Sequence, residues 1–204
     1  YAVIGMHPIH SDASHHDAEE LWGDTSFTSR GEEFDKEFYL KLAKKDKVVA
    51  IGECGLDYYR IEGDEQKKKQ KEVFVKHIEL AKEAGKPLMI HCRDAYQDLI
   101  PILLEHKDKL ADPPGIAHFF AGTKEDAEKL LDMGFYFTFG GVITFVHDYD
   151  KIVQMIPADR ILSETDAPYV SPVPYRKERN EPVYVIEIVK KLAEIRGVSE
   201  GEMK

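Results

Sequence analysis

Glu53 closes the segment VVAIGE, His91 closes PLMIH, His118 sits in GIAHFF and Asp166 ends ILSETD. Two carboxylates and two imidazoles thus recur at the same place, the end of an apolar run. Side chains of these types share one chemistry, the ligation of divalent cations: imidazole suits zinc, manganese and iron, and carboxylate also suits magnesium. A carboxylate that bridges two such ions, with imidazoles on one side and a second carboxylate on the other, holds them about 3.5–4 Å apart in two-metal hydrolases. Glu53 is the expected bridge. His91 and His118 are expected to complete a two-imidazole, one-carboxylate metal site with it, and Asp166 to face the second ion. Glu53 and Asp166 are then also the expected catalytic pair, because Asp166 can take a proton from activated water and pass it to the leaving group. Taken singly, each residue has an ordinary explanation. A strand-end histidine commonly serves a structural hydrogen bond, and an acidic residue there caps the next helix. Four at equivalent positions have no packing rationale, since burying unpaired charge is costly.

The elements that must position these residues are legible from apolar patterning. Six runs have the form of strands buried on both faces: residues 1–5, 48–53, 87–92, 115–120, 135–141 and 160–166. Between them lie helical patterns. EQKKKQKEVFVKHIELAKEAG carries Phe74, Ile78 and Ala81 on one face, with Val73, His77, Leu80 and Ala84 beside it, and stops at Gly85. AYQDLIPILLEHK is a shorter helix whose Pro101 restricts its start or kinks it, TKEDAEKLLDMG has Thr123 as N-cap, and EPVYVIEIVKKLAEIRG runs from Pro182 to Gly197. Such alternation means βα units. No Gly-rich dinucleotide fingerprint is present, and ligand-type residues at several strand ends favour a TIM (β/α)8 barrel, whose active site lies at the carboxyl ends of its strands. Six strands are two short of eight. The expectation is a single (β/α) barrel domain over 1–204 that lacks the first two βα units, in keeping with Tyr1 opening directly on an apolar run and with 204 residues against the ~250 usual for such barrels.

Composition sets limits on partners. Lys and Arg total 28 against 38 Asp and Glu, a net charge of -10. This argues against a broad basic surface that binds nucleic acid unaided but leaves a phosphodiester substrate open, because bound cations and a few arginines set the local field. Arg93, two residues after His91, offers a bidentate phosphate contact or a surface ion pair with Asp94 or Asp98, and His7 could touch substrate phosphate or a metal-bound water, or serve a structural role before Pro8. Arg176 and Arg179 follow Asp166 in a Pro-rich loop where they could steer a strand or simply be solvated. Cys54 and Cys92 adjoin Glu53 and His91, so on a strand they point to the opposite face and act as small buried side chains. With no secretory or transmembrane stretch, a reduced cytoplasmic setting is expected. The polar connection from His10 to Lys47 begins as an expected loop over the barrel mouth, where His15 and His16 are either accessory ligands or solvated, and turns helical through Phe34, Phe38 and Leu42.

Several segments together carry a specific resemblance. IGECGLDYYR (51–60), IHCRDA (90–95), HFFAG, FTFGG, ETDAPYVSP (164–172), RNEP (179–182) and GMHPIH (5–10) resemble the TatD-type deoxyribonuclease family over almost the whole chain. The resemblance implies an amidohydrolase-like (β/α)8 barrel with two divalent metal ions, Mg, Mn or Zn, that hydrolyses DNA phosphodiesters from a free end. By motif position it carries over Glu53, His91, His118 and Asp166 as ligands. The residues themselves give Asp57 and Tyr58 of GLDYYR as supporting or cleft-lining groups, with stacking of a base on Tyr58 as an alternative. Two departures stand out. The family's HxH pair on its first strand has no counterpart here, leaving one metal site nearly complete, and HCFSG reads HFFAG, with Phe119 and Ala121 in place of Cys and Ser. The expected function is a metal-dependent hydrolase that cleaves DNA by metal-activated water in exonuclease-like fashion, with DNA as substrate and neither a membrane nor an obligate protein partner. The alternatives are a metal-dependent ester or amide hydrolase on the same barrel, or a catalytically incomplete metal-binding protein.

Overall fold

All six apolar runs form strands in the computed structural model, which describes residues 1–16, 26–61 and 63–203. In chain order the elements are β1 (Ala2–Ile4), β2 (Ser14–His16), β3 (Phe27–Ser29), α1 (Lys36–Ala43), β4 (Val48–Asp57), α2 (Asp64–Ala84), β5 (Leu88–Arg93), α3 (Tyr96–Glu105), β6 (Gly115–Ala117), α4 (Lys124–Asp132), β7 (Tyr136–Phe139), α5 (Asp150–Met155), β8 (Ile161–Ser163), α6 (Val185–Arg196) and α7 (Glu200–Met203). The main sheet has the order β1-β4-β5-β6-β7-β8, and every neighbouring pair is parallel. Sequential parallel strands with intervening helices make the curved wall of a (β/α) barrel. Among the described residues this wall ends at β1 and β8 and does not close into a barrel.

Helix boundaries follow the local chemistry. The Thr123 hydroxyl accepts from the Asp126 amide (3.2 Å), and the Asp126 carboxylate accepts from the Thr123 amide (3.0 Å), a reciprocal capping box that starts α4. α2 stops where Gly85 turns left-handed at φ 62°. Pro101 lies inside α3, which begins five residues before it, so the proline removes one helical hydrogen bond without setting the start. The buried face of α2 (Val73, Phe74, His77, Ile78, Leu80, Ala81) packs on β4, and Phe120, Phe135, Phe137 and Phe139 are fully buried in the core. Phe120 meets Phe137 edge-on at 5.2 Å between centroids. Each such ring contributes roughly 1.5–3 kcal/mol through its removal from water, which holds the strands together through the core.

The expected mouth loop is in part ordered differently. β2 and β3 pair antiparallel, with Ser14 opposite Ser29 and His16 opposite Phe27, while residues 17–25 of that connection lie outside the described residues. Polar three-residue strands have too little alternation to be read from sequence. No helix among the described residues is long and apolar enough to cross a membrane.

Candidate metal centre

β4 sets the position of Glu53 by breaking its own register. Ile51 pairs with Leu88 and Cys54 with Ile90, so three steps on β4 match two on β5, the signature of a bulge at Gly52 and Glu53. Gly52 at φ 152° and Gly55 at φ 138° flank it, and a Cβ at either would collide with the carbonyl oxygen of Met89 or His91 on the next strand. The bulge turns Glu53 toward the carboxyl ends of the strands, while Cys54 and Leu56 go into the core. Its Oε1 then lies 2.8 Å from His91 Nδ1, 3.4 Å from His7 Nε2 and 3.7 Å from His118 Nε2. The other His91 nitrogen, Nε2, is 2.8 Å from Asp57 Oδ2. His7 is held by its own 3-10 turn, where its Nδ1 accepts from the Ile9 amide, and its ring packs edge-on against His91 at 4.4 Å.

A second group forms after β6 and β8. His118 is buried; its Nε2 is 3.5 Å from Asp166 Oδ1 and its Nδ1 2.6 Å from Glu164 Oε2. Glu164 is fixed through Oε1, which accepts from the Phe119 amide at 2.6 Å and from the Thr138 hydroxyl. Despite the closeness of Glu164, His118 Nδ1 makes no aligned hydrogen bond. Such an orphaned buried nitrogen, beside two carboxylates, fits a site built to receive a further group.

Electrostatics tie the two groups together. Burial by itself would raise the Glu53 carboxyl, but contacts with His7 and His91 outweigh it and hold the group well below the usual carboxylate range. Burial likewise opposes charge on His91 and His118, yet Asp57 and Glu53 push the first up to about 9, and Asp166 and Glu164 push the second up to about 10. The carboxylates demand positive charge here. Imidazolium supplies it by a proton, and a divalent cation supplies it with that proton displaced. Two sets of three donors, His7–Glu53–His91 and His118–Glu164–Asp166, each have ligand atoms within 4.8 Å of one another. Mixed N and O donors of this kind fit zinc, manganese or magnesium.

All four strand-end residues read from the sequence meet in this region, but they are divided differently from the expectation. His118 stands with Asp166 rather than with His91, and His7, expected at the substrate, completes the group of Glu53. Glu164 was missed. Its signal is the spacing in ETD, two residues before Asp166, which places both on one side of an extended segment. Thr138, which steadies Glu164, carries no local mark. Neither cysteine belongs to a group of possible ligands; Cys54 and Cys92 are buried, and burial pushes both thiols up. His15 and His16 are in β2; His15 is in neither group, with its Nδ1 3.3 Å from Thr28 Oγ1, and the His16 side chain lies outside the described residues. Arg93 lies on the ring of Tyr59, 3.4 Å from its centroid, and Tyr58 donates to Asp98 at 2.8 Å, so Tyr58 is tied into the wall. Arg176 covers Phe145 and donates to the Ser171 carbonyl, which commits it to its own loop.

Known proteins similar to this chain are numerous. YcfH of Escherichia coli K12, named an uncharacterized metal-dependent hydrolase, is 40% identical over 177 residues, covering 86% of this chain and 65% of YcfH. The chain thus spans a little under two thirds of that relative's length. The TatD protein of Erwinia tasmaniensis, named a 3'-5' ssDNA/RNA exonuclease, is 34% identical over 210 residues, covering 100% of this chain and 73% of its own. Among solved structures, the TatD homologue YjjV of Escherichia coli superposes with a TM-score of 0.81 at 25% identity, over 100% of this chain and 71% of YjjV. The open sheet described above is therefore the wall of a TatD-type TIM barrel, and the family model for TatD related DNase matches residues 1–204. With its whole length matched and its ligand-type side chains gathered at the strand ends, the chain belongs to the TatD-related DNase family of metal-dependent hydrolases.

Proposed function

We propose that this chain carries the metal centre of a nuclease that hydrolyses DNA phosphodiesters from a strand end with two divalent ions. The carrying observation is Glu53, whose Oε1 faces three imidazoles at once, at 2.8, 3.4 and 3.7 Å, the third of which reaches Asp166. His7, Glu53 and His91 would hold one ion, and His118, Glu164 and Asp166 the other. Bound divalent ions supply Lewis acidity toward the phosphoryl oxygens and lower the pKa of water. The chain's own residues do the rest. Asp57 Oδ2 fixes the His91 ring by its contact with Nε2, and the Thr138 hydroxyl and Phe119 amide fix Glu164 by donating to Oε1. Asp166 Oδ1 accepts the proton lost by the attacking water and returns it to the leaving 3'-oxygen. Arg93 presents guanidinium donors to the phosphate beside the cleaved bond. The Erwinia relative's name supports nucleic acid as the substrate class.

End-labelled single-stranded DNA tests this reading when incubated with the protein and Mg, Mn or Zn. Stepwise shortening is expected, abolished by chelation and reduced at least about 100-fold in Glu53→Ala. Intact DNA alongside metal-dependent turnover of an ester or amide panel would overturn it in favour of carbonyl chemistry on the same centre.

A further inference from the structure

The segment GLDYYR puts two tyrosines side by side just past the end of β4, and the structure gives them opposite tasks. Tyr58 is half-buried, its hydroxyl donates to Asp98, and Lys67 lies 5.2 Å from its ring centroid. Tyr59 is 53% exposed. It nevertheless does not hang free. The Arg93 guanidinium lies over its ring at 3.4 Å and that of Arg60 at 5.8 Å, while its backbone amide donates to Asp57 Oδ1 at 3.0 Å. Asp57 in turn holds His91 through Oδ2, and Arg93 is the second residue after His91. A half-exposed aromatic ring with a guanidinium against it is therefore fixed at two points to the candidate metal centre.

One exposed apolar residue by itself signifies little. This ring is distinguished by its position and its partners. A flat π surface backed by a guanidinium stacks nucleobases without regard to sequence, because every base has a π face, and a guanidinium that lies flat on a ring can still direct its N–H edge at a phosphate oxygen, as that of Arg93 would. Bases within a duplex have both faces covered and cannot reach it. We infer that Tyr59, backed by Arg93, is a stacking platform for an unpaired nucleobase, so that this site binds single strands by their bases as well as by their phosphates. The inference rests on the nuclease reading for its substrate class, but binding can be measured where cleavage does not intervene.

The test uses fluorescence anisotropy of the metal-loaded protein with phosphorothioate single-stranded oligonucleotides, either fully base-bearing or made abasic one position at a time. The native protein is expected to bind the base-bearing strand about tenfold more tightly than the strand abasic at one particular position, the lower range for one stacked base. Tyr59→Ala should lose that preference, whereas Tyr59→Phe and Tyr59→Trp, which keep a ring, should retain it. Equal preference in Tyr59→Ala and native protein, or none in the native protein, would overturn the platform. A base preference that depends on Tyr59, in a protein that leaves ordinary phosphodiester DNA uncut, would uphold the platform and reject the nuclease reading alone.

Discussion

Glu164 illustrates how a ligand-type residue can be held without being conspicuous. Its Oε2 lies 2.6 Å from His118, and its Oε1 is engaged by a backbone amide and the Thr138 hydroxyl, so the carboxylate cannot swing away. Replacing it by Gln keeps the volume and an oxygen to accept those two donors but removes the negative charge. We expect Glu164→Gln to lose metal and to turn over about 10- to 100-fold more slowly, the range seen when groups around a metal are altered. Metal analysis of the purified variant beside a kinetic assay decides the matter; full metal content at native rate would remove Glu164 from the centre. Sequence made Glu53, His91, His118 and Asp166 visible because each is a polar break after an apolar run. Glu164 follows β8 in the same way, and the ETD spacing sets it on the side of Asp166, but that spacing alone does not separate a ligand carboxylate from a solvated one. Its pairing with His118 is a contact between residues 46 apart and exists only in the fold.

Elements convey positions as well as residues do. α2 reaches the site through His77, fully buried, whose Nε2 accepts from the Met6 amide at 2.9 Å while its Nδ1–H donates to the Val73 carbonyl at 2.8 Å. Both bonds require the neutral ring, and burial lowers its pKa to about 4. A histidine with a lowered folded-state pKa leaves the unfolded chain the better proton acceptor. Its contribution is therefore complete above about pH 6.5 and is lost as pH falls toward 4, on the order of 3 kcal/mol across the interval. The raised His91 and His118 act on stability above pH 6.5, and the lowered Glu53, Asp57 and Asp98 act below about 4.5. Urea midpoints measured between pH 7 and 4.5 should fall steeply in the native protein and much less in His77→Gln; parallel slopes would sink the assignment. Helical periodicity placed His77 beside the buried face of its helix. It could not show that the ring's partner is the residue before His7, because period 3.6 speaks only of a face and not of what covers it.

At the scale of the whole molecule, a net charge of -10 is concentrated in its effect where carboxylates converge. Anything that binds the folded centre and not the unfolded chain stabilises the fold by mass action. A divalent ion at ~100 times its Kd contributes about 2.7 kcal/mol, which for a chain of this size corresponds to a rise of roughly 5–10 °C in Tm. Differential scanning fluorimetry with Mn, Zn or Mg against chelator should show this rise in the native protein and little of it in Glu53→Ala. Equal shifts in both would remove Glu53 from the ligands. The architecture itself was largely readable: six apolar runs separated by amphipathic stretches gave six parallel strands, and strand-end ligands favoured a barrel over an open nucleotide-binding sheet. The sheet's register was not readable, since pairing is decided by contacts distant in sequence, and the β2–β3 hairpin was invisible because its strands are short and polar.

The bulge in β4 bears on how this strand can drift over generations. Val48, Ala50 and Leu56 are buried among other apolar side chains, where a residue of similar volume is an acceptable replacement. Gly52 and Gly55 are different: each sits at positive φ with a neighbouring carbonyl where a Cβ would stand, so neither position has a neutral substitute. The aim of Glu53 is thus inherited through two residues that have no side chain at all, and a lineage could exchange most of the strand's apolar content before it could alter either of them.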